Sequence, residues 1–103
     1  MIFPAMMEAA DRGELILVRD GMLRWHLRKD GVVVIREVIV LPFRRGTGVG
    51  RAMLTVLIGM NPGRTLRARC PAAYESNEFW RRMGFTLVKK DKGANVWERF
   101  PSN

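Results

Sequence analysis

The stretch Arg44-Arg45-Gly46-Thr47-Gly48-Val49-Gly50-Arg51 sets three glycines at alternate positions, between a β-branched run that ends at Pro42 and an apolar stripe at helical spacing. A strand that stops, a glycine loop and a helix that starts have a definite electrostatic consequence. The first turn of a helix carries backbone N–H groups with no intrahelical partner, and the helix dipole adds about half a positive charge there. Glycines let that backbone approach an anion without a Cβ in the way, and Arg44, Arg45 and Arg51 add formal charge around it. Physically this is a cradle for a pyrophosphate. Read alone, the same glycines also describe a tight, flexible turn. No Gly-Lys-Ser/Thr follows, so the loop is not a P-loop. The strands before it form hairpins instead of opening a βαβ unit, so it is a poor dinucleotide fingerprint.

Upstream, Val32–Leu41 reads as a long strand that Pro42 ends. Before it, Met22–Lys29 alternates, with Leu23, Trp25 and Leu27 on one face and Arg24, His26 and Arg28 on the other. Glu14–Asp20 is a third extended segment. Asp20-Gly21 and Asp30-Gly31 separate the three, and Asp-Gly suits a two-residue hairpin turn because it accepts positive φ. The reading is an antiparallel meander, preceded by a short helix over residues 3–12. Downstream, Val49, Ala52, Met53, Val56, Leu57 and Met60 form one apolar stripe of a helix, stopped by Asn61-Pro62-Gly63. Thr65–Cys70 alternates again, with Leu66, Ala68 and Cys70 inward and Arg67 and Arg69 outward. Glu75–Met83 reads as a short helix with Phe79, Trp80 and Met83 inward and Gly84 at its C-terminal cap. Phe85–Lys90 and Asn95–Phe100 close the chain as two strands around Asp91-Lys92-Gly93. The class is α+β: a mostly antiparallel sheet with one central β-α-β crossover, in a single domain over 1–103.

The 103 residues suffice for one domain and not for two. Hydrophobic content of 48% with 27% charged residues is globular in character. One cysteine excludes an intramolecular disulfide framework, and with one histidine it leaves no finger-type metal site, so no metal is expected. The apolar runs are too short to span a bilayer, and no basic region precedes an apolar one at the N-terminus. The expectation is a cytoplasmic protein that does not engage membranes. The net charge of +8 attracts polyanions: nucleic acid, a membrane face or a phosphate-rich cofactor.

Val40-Leu41-Pro42-Phe43-Arg44-Arg45-Gly46-Thr47-Gly48-Val49-Gly50-Arg51-Ala52 resembles the acyl-CoA motif of the GNAT family of N-acetyltransferases. That motif reads Arg/Gln-x-x-Gly-x-Gly/Ala, filled here by Arg45, Gly48 and Gly50. The family's second signature, Phe-Tyr-x-x-x-Gly-Phe, has its counterpart in Phe79-Trp80-Arg81-Arg82-Met83-Gly84-Phe85. Both motifs stand in the family's order with one strand between them, and the resemblance covers residues 14–100. It implies the acyl-CoA N-acyltransferase fold. It departs from the family before residue 14, where members usually have a strand and two helices that wall the acceptor site, so the N-terminal helices are read as reduced.

The resemblance implies an N-acetyltransferase that uses acetyl-CoA as acetyl donor to an amine acceptor the sequence does not identify. Acetyl-CoA would lie in a splayed gap between the strand ending at Leu41 and the strand ending at Cys70. Backbone groups of Val38, Ile39 and Val40 would meet the pantetheine. The amides of Arg45, Gly46, Thr47, Gly48, Val49 and Gly50 would hold the pyrophosphate, with the charges of Arg44 and Arg51 beside them. Asn77 and Trp80 match positions that line the CoA arm. A primary amine would attack the thioester directly through a tetrahedral intermediate, once a base has removed its proton. Glu37 is the candidate base, since a carboxylate on an apolar strand face is either paired or functional. A salt bridge to a neighbouring arginine is the competing reading; His26 is the backup base. An oxyanion would be met by a backbone N–H near Val40. The family commonly takes its general acid from the Tyr of the second signature. Trp80 stands there instead, and Tyr74 is the candidate replacement. Cys70 reads as core. A missing wall leaves either an open acceptor side or one completed by a second subunit, so a homodimer is expected. Two other readings stand beside the enzyme: an acyl-CoA-binding module with weak or no activity, and a nucleic-acid-binding protein motivated by charge alone.

Overall fold

A computed structural model describes residues 12–101. The helix expected over 3–12 lies outside the described residues except for Arg12, which begins a turn with Gly13 at φ +73°. The elements run β1 (Leu15–Val18), β2 (Gly21–Leu27), β3 (Val33–Val40), a 3₁₀ turn (Pro42–Arg44), α1 (Val49–Met60), β4 (Leu66–Pro71), α2 (Ser76–Arg82), β5 (Thr86–Asp91) and β6 (Ala94–Arg99). The six strands form one mixed sheet in the order β1-β2-β3-β4-β6-β5. This is the expected series, with α1 carrying the chain from β3 to its sheet neighbour β4. Contacts divide the described chain into two compact units, residues 12–26 with 35–62 and residues 27–34 with 63–101.

In the first unit β1 and β2 pair antiparallel with Val18 opposite Gly21, so the turn residues are Arg19 and Asp20. Gly21 is the first residue of β2 and has no positive φ, contrary to the turn role expected of it. Its requirement is space. A Cβ there would stand 2.8 Å from the Ile39 carbonyl oxygen, 3.0 Å from Met53 Cε and 3.1 Å from Val49 Cγ1. Gly21→Ala is expected to cost about 1–3 kcal/mol through overpacking against backbone, read as a lower urea midpoint with unchanged slope. Ile16, Leu23, Trp25, Ile35, Met53, Leu54 and Leu57 are buried in this unit. The inner stripe of α1 is therefore rotated from the expected one: Met53 and Leu57 are common to both, Leu54 joins them, and Val56 and Met60 are about half exposed. The helix is apolar around much of its circumference, so periodicity admits two stripes. The exposed side of the helix holds Arg51 and Thr55, whose hydroxyl donates to the Arg51 carbonyl at 2.8 Å.

In the second unit Arg28 N–H donates to Val32 O at 2.9 Å around a turn that needs Gly31 at φ +89°. Asp30 accepts from Val32 N–H at 3.1 Å, and this bond, with Arg28 beside it, holds the Asp30 carboxyl below the usual carboxylate range. β4 pairs antiparallel with β6, and β6 with β5. Lys92 and Gly93 close the last hairpin, both at positive φ. The alternation of β4 is as expected: Leu66, Ala68 and Cys70 are buried. Arg67 and Arg69 lie on its other face, with Arg67 Nε 2.7 Å from Glu98 and Arg69 Nη1 2.8 Å from Asp91. Of the three residues expected to face inward from α2, only Trp80 is fully buried; Phe79 and Met83 are half-buried.

Candidate active site

The glycine loop has the geometry of an anion seat. Pro42 opens the 3₁₀ turn, where its missing N–H costs nothing. Arg44 N–H donates to Leu41 O at 2.8 Å, and Thr47 returns both its N–H and its hydroxyl to Arg44 O. Gly46 and Gly48 take φ +79° and +92°. A Cβ on either would meet nothing within 4 Å, so backbone conformation rather than crowding calls for glycine, and the space over the loop is open. Gly48 caps α1 without any side-chain bond, and the first turn holds no acidic residue. The first helical bond is Ala52 N–H to Gly48 O at 2.9 Å. The amides of Val49, Gly50 and Arg51 thus have no helical acceptor.

The three arginines around this turn differ. Arg44 Nε lies 3.0 Å from Asp20 Oδ2. Arg45 and Arg51 are exposed and have no ion-pair partner among the described residues. The loop therefore offers three open amides and two uncommitted guanidinium groups.

On β3, Val38 and Val40 are half-buried and Ile39 is exposed. Glu37 precedes them with its side chain 26% exposed. Its Oε1 accepts from Arg24 Nη2 at 3.1 Å, while Oε2 is buried with no partner, as is Arg24 Nε. The competing reading of Glu37 is thus present in fact, yet one oxygen is left over. A buried acceptor without a donor is unfavourable by about 1–3 kcal/mol.

Tyr74 is exposed, and its backbone, not its ring, is engaged, accepting from Asn77. Asn77 is saturated. Its Nδ2 donates to the carbonyls of Tyr74 at 2.7 Å and Pro71 at 2.9 Å, and its Oδ1 accepts from Asn95 Nδ2 and Trp97 Nε1, both at 2.9 Å. Trp80 packs edge-on between Phe79 and Phe85, with centroids 5.0 and 5.1 Å away. Cys70 is buried with Sγ 3.2 Å from Ser76 Oγ.

Two side-chain arrangements escape a reading of the sequence. His26 Nδ1 lies 2.9 Å from Oε2 of Glu14, a carboxylate that is itself buried and also accepts from Arg12 Nε at 2.7 Å. His26 is read from alternation as a solvated strand residue, and nothing in the spacing marks its partner. The Asp20–Arg44 pair is hidden because Asp20 reads as a turn former. Among the described residues no cluster of His, Cys, Asp or Glu could hold a metal ion, and no helix is long and apolar enough to cross a membrane.

No protein-family model and no curated protein matches the sequence. The folded chain does match solved structures. A GNAT-family acetyltransferase from Bacillus cereus superposes with TM-score 0.83 at 16% identity, covering 97% of this chain and 79% of that one. The PaiA N-acetyltransferase of Thermoplasma acidophilum, solved with coenzyme A, gives TM-score 0.77 at 9% identity, covering 91% and 65%. The ribosomal-protein-S18-alanine N-acetyltransferase of Escherichia coli gives 0.68 at 19%, covering 82% and 63%. The chain has the acyl-CoA N-acyltransferase fold that the sequence motifs led one to expect.

Proposed function

We propose that this chain is a GNAT-family N-acetyltransferase that binds acetyl-CoA at the Arg44–Arg51 loop and transfers its acetyl group to a primary amine. The observation that carries the reading is the bare N-terminus of α1: left-handed glycines, no capping side chain, no first-turn acid and two arginines with no ion-pair partner among the described residues, around open amides. The pyrophosphate of the donor supplies the anion this arrangement lacks.

Glu37 is the proposed base. An alkylammonium has an unperturbed pKa near 10.4, so it must lose a proton before it can attack. The Glu37 carboxylate takes that proton, with Arg24 holding its Oε1. Attack by the neutral amine forms the C–N bond, the second proton of the attacking nitrogen passes to solvent, the C–S bond breaks, and the leaving thiolate takes a proton from solvent. A backbone N–H near Val40 is the proposed donor to the developing oxyanion. Within its own unit Asn77 fixes the loop before α2, and Trp80 packs between Phe79 and Phe85. Glu37→Gln is expected to lower kcat/KM by about 10²–10⁴-fold with little change in donor affinity, measured by thiol release over a panel of amines including peptide N-termini, lysine side chains and aminoglycosides. A variant that retains wild-type turnover would remove Glu37 from the chemistry.

A second reading, an acyl-CoA-binding module with weak turnover, is favoured by one observation: Trp80 occupies the usual acid position and is buried, while Tyr74 is 61% exposed. Saturable acetyl-CoA binding without turnover across the panel would select it. A homodimer belongs to the main proposal, since Val56 and Met60 leave apolar surface on α1; a monomer by light scattering across the micromolar range would contradict it.

A further inference from the structure

Arg44 is held differently from the other two arginines of the cradle. Its N–H and carbonyl are both fixed within the loop, and its guanidinium is paired with Asp20. Asp20 is a firm anchor. It sits in the two-residue turn between β1 and β2, its carbonyl accepts Leu41 N–H at 2.9 Å, and its side chain is only 19% exposed. The next residue, Gly21, is packed so closely against Ile39 and α1 that the turn has no room to move inward.

A carboxylate beside a seat for a polyanion is unfavourable by its field alone. Its retention needs a compensating effect. Holding a long side chain in one conformation before the ligand arrives removes an ordering cost at binding, equivalent to about 2–10-fold in affinity. Arg45 and Arg51, with no such partner among the described residues, must still be ordered.

We propose that Asp20 is a positioning residue for the CoA cradle: it engages Arg44 Nε and presets that guanidinium at the loop, so that the β1–β2 turn contributes to donor binding without touching the donor. This rests on the reading of the loop as a CoA site. Field and positioning predict opposite signs. If Asp20 acts only through its charge, Asp20→Ala and Asp20→Asn tighten CoA binding. If it positions Arg44, both weaken it.

The test is calorimetric titration of CoA into the wild type, Asp20→Ala, Asp20→Asn, Arg44→Ala and the Asp20→Ala/Arg44→Ala double variant. The expected result is about 2–10-fold weaker binding for each Asp20 variant, with no further loss from Asp20→Ala once Arg44 is alanine. Independently of any ligand, ¹⁵N relaxation should show Arg44 Nε ordered in the wild type and mobile in Asp20→Ala. Equal or tighter binding by the Asp20 variants would overturn the proposal. So would the same loss in both backgrounds, which marks a general structural role, or an Arg44 Nε already mobile in the wild type. A wild type that fails to bind CoA would overturn the cradle reading itself, and the positioning role with it.

Discussion

Asn77→Ala is expected to lower the free energy of unfolding by about 2–4 kcal/mol, a large fraction of what a domain of this size possesses. The reason is the number of groups one carboxamide satisfies. Its two N–H hydrogens serve the carbonyls of Tyr74 and Pro71, with Ala72 also in reach at 3.3 Å, and its oxygen takes Asn95 and Trp97. Trp97 is 2% exposed and Asn95 9%, so alanine leaves two donors of β6 away from water. Each unsatisfied buried donor costs about 1–3 kcal/mol. Urea denaturation followed by tryptophan fluorescence reads the loss as a lower midpoint with unchanged slope. A change below about 0.5 kcal/mol would mean that water replaces the amide freely. The same saturation bears on function, because an amide with every site taken has no spare donor for a CoA arm unless one bond is exchanged.

Arg45→Glu is expected to weaken CoA binding by at least about 10–100-fold, since a hydrogen bond to a charged group contributes about 1.5–3 kcal/mol and the reversal adds repulsion. Arg45 is exposed and makes no ion pair among the described residues, so its replacement leaves the fold's own bonds intact. The melting temperature should therefore hold while affinity falls. Wild-type affinity should also decline as salt rises, because the charges meet at the surface. Unchanged affinity in the variant would place the anion elsewhere.

The fold was largely legible in the sequence because its signals are local. Alternation over Leu66–Cys70, breakers at Pro42 and Pro62, and glycines after each helix fix elements without reference to distant residues. The left-handed glycines of the loop were legible for the same reason: φ at Gly46 and Gly48 is decided within the loop. What escaped was set by tertiary proximity. The stripe of α1 was ambiguous because Leu54 and Ile58 are as apolar as Val56 and Met60, and only packing chooses between them. Gly21 reads as a turn glycine until the Ile39 carbonyl is seen beside it. The partners of Glu37, Arg44 and Asn77 stand 13, 24 and 18–20 positions away in sequence, a pairing that no spacing rule supplies.

Calorimetric titration of acetyl-CoA into the wild-type protein at moderate salt is the most direct test: saturable binding with one site per chain, competed by CoA, is expected. No saturable heat would contradict it, leaving the glycines of the loop as a turn between β3 and α1 and the arginines as surface charge.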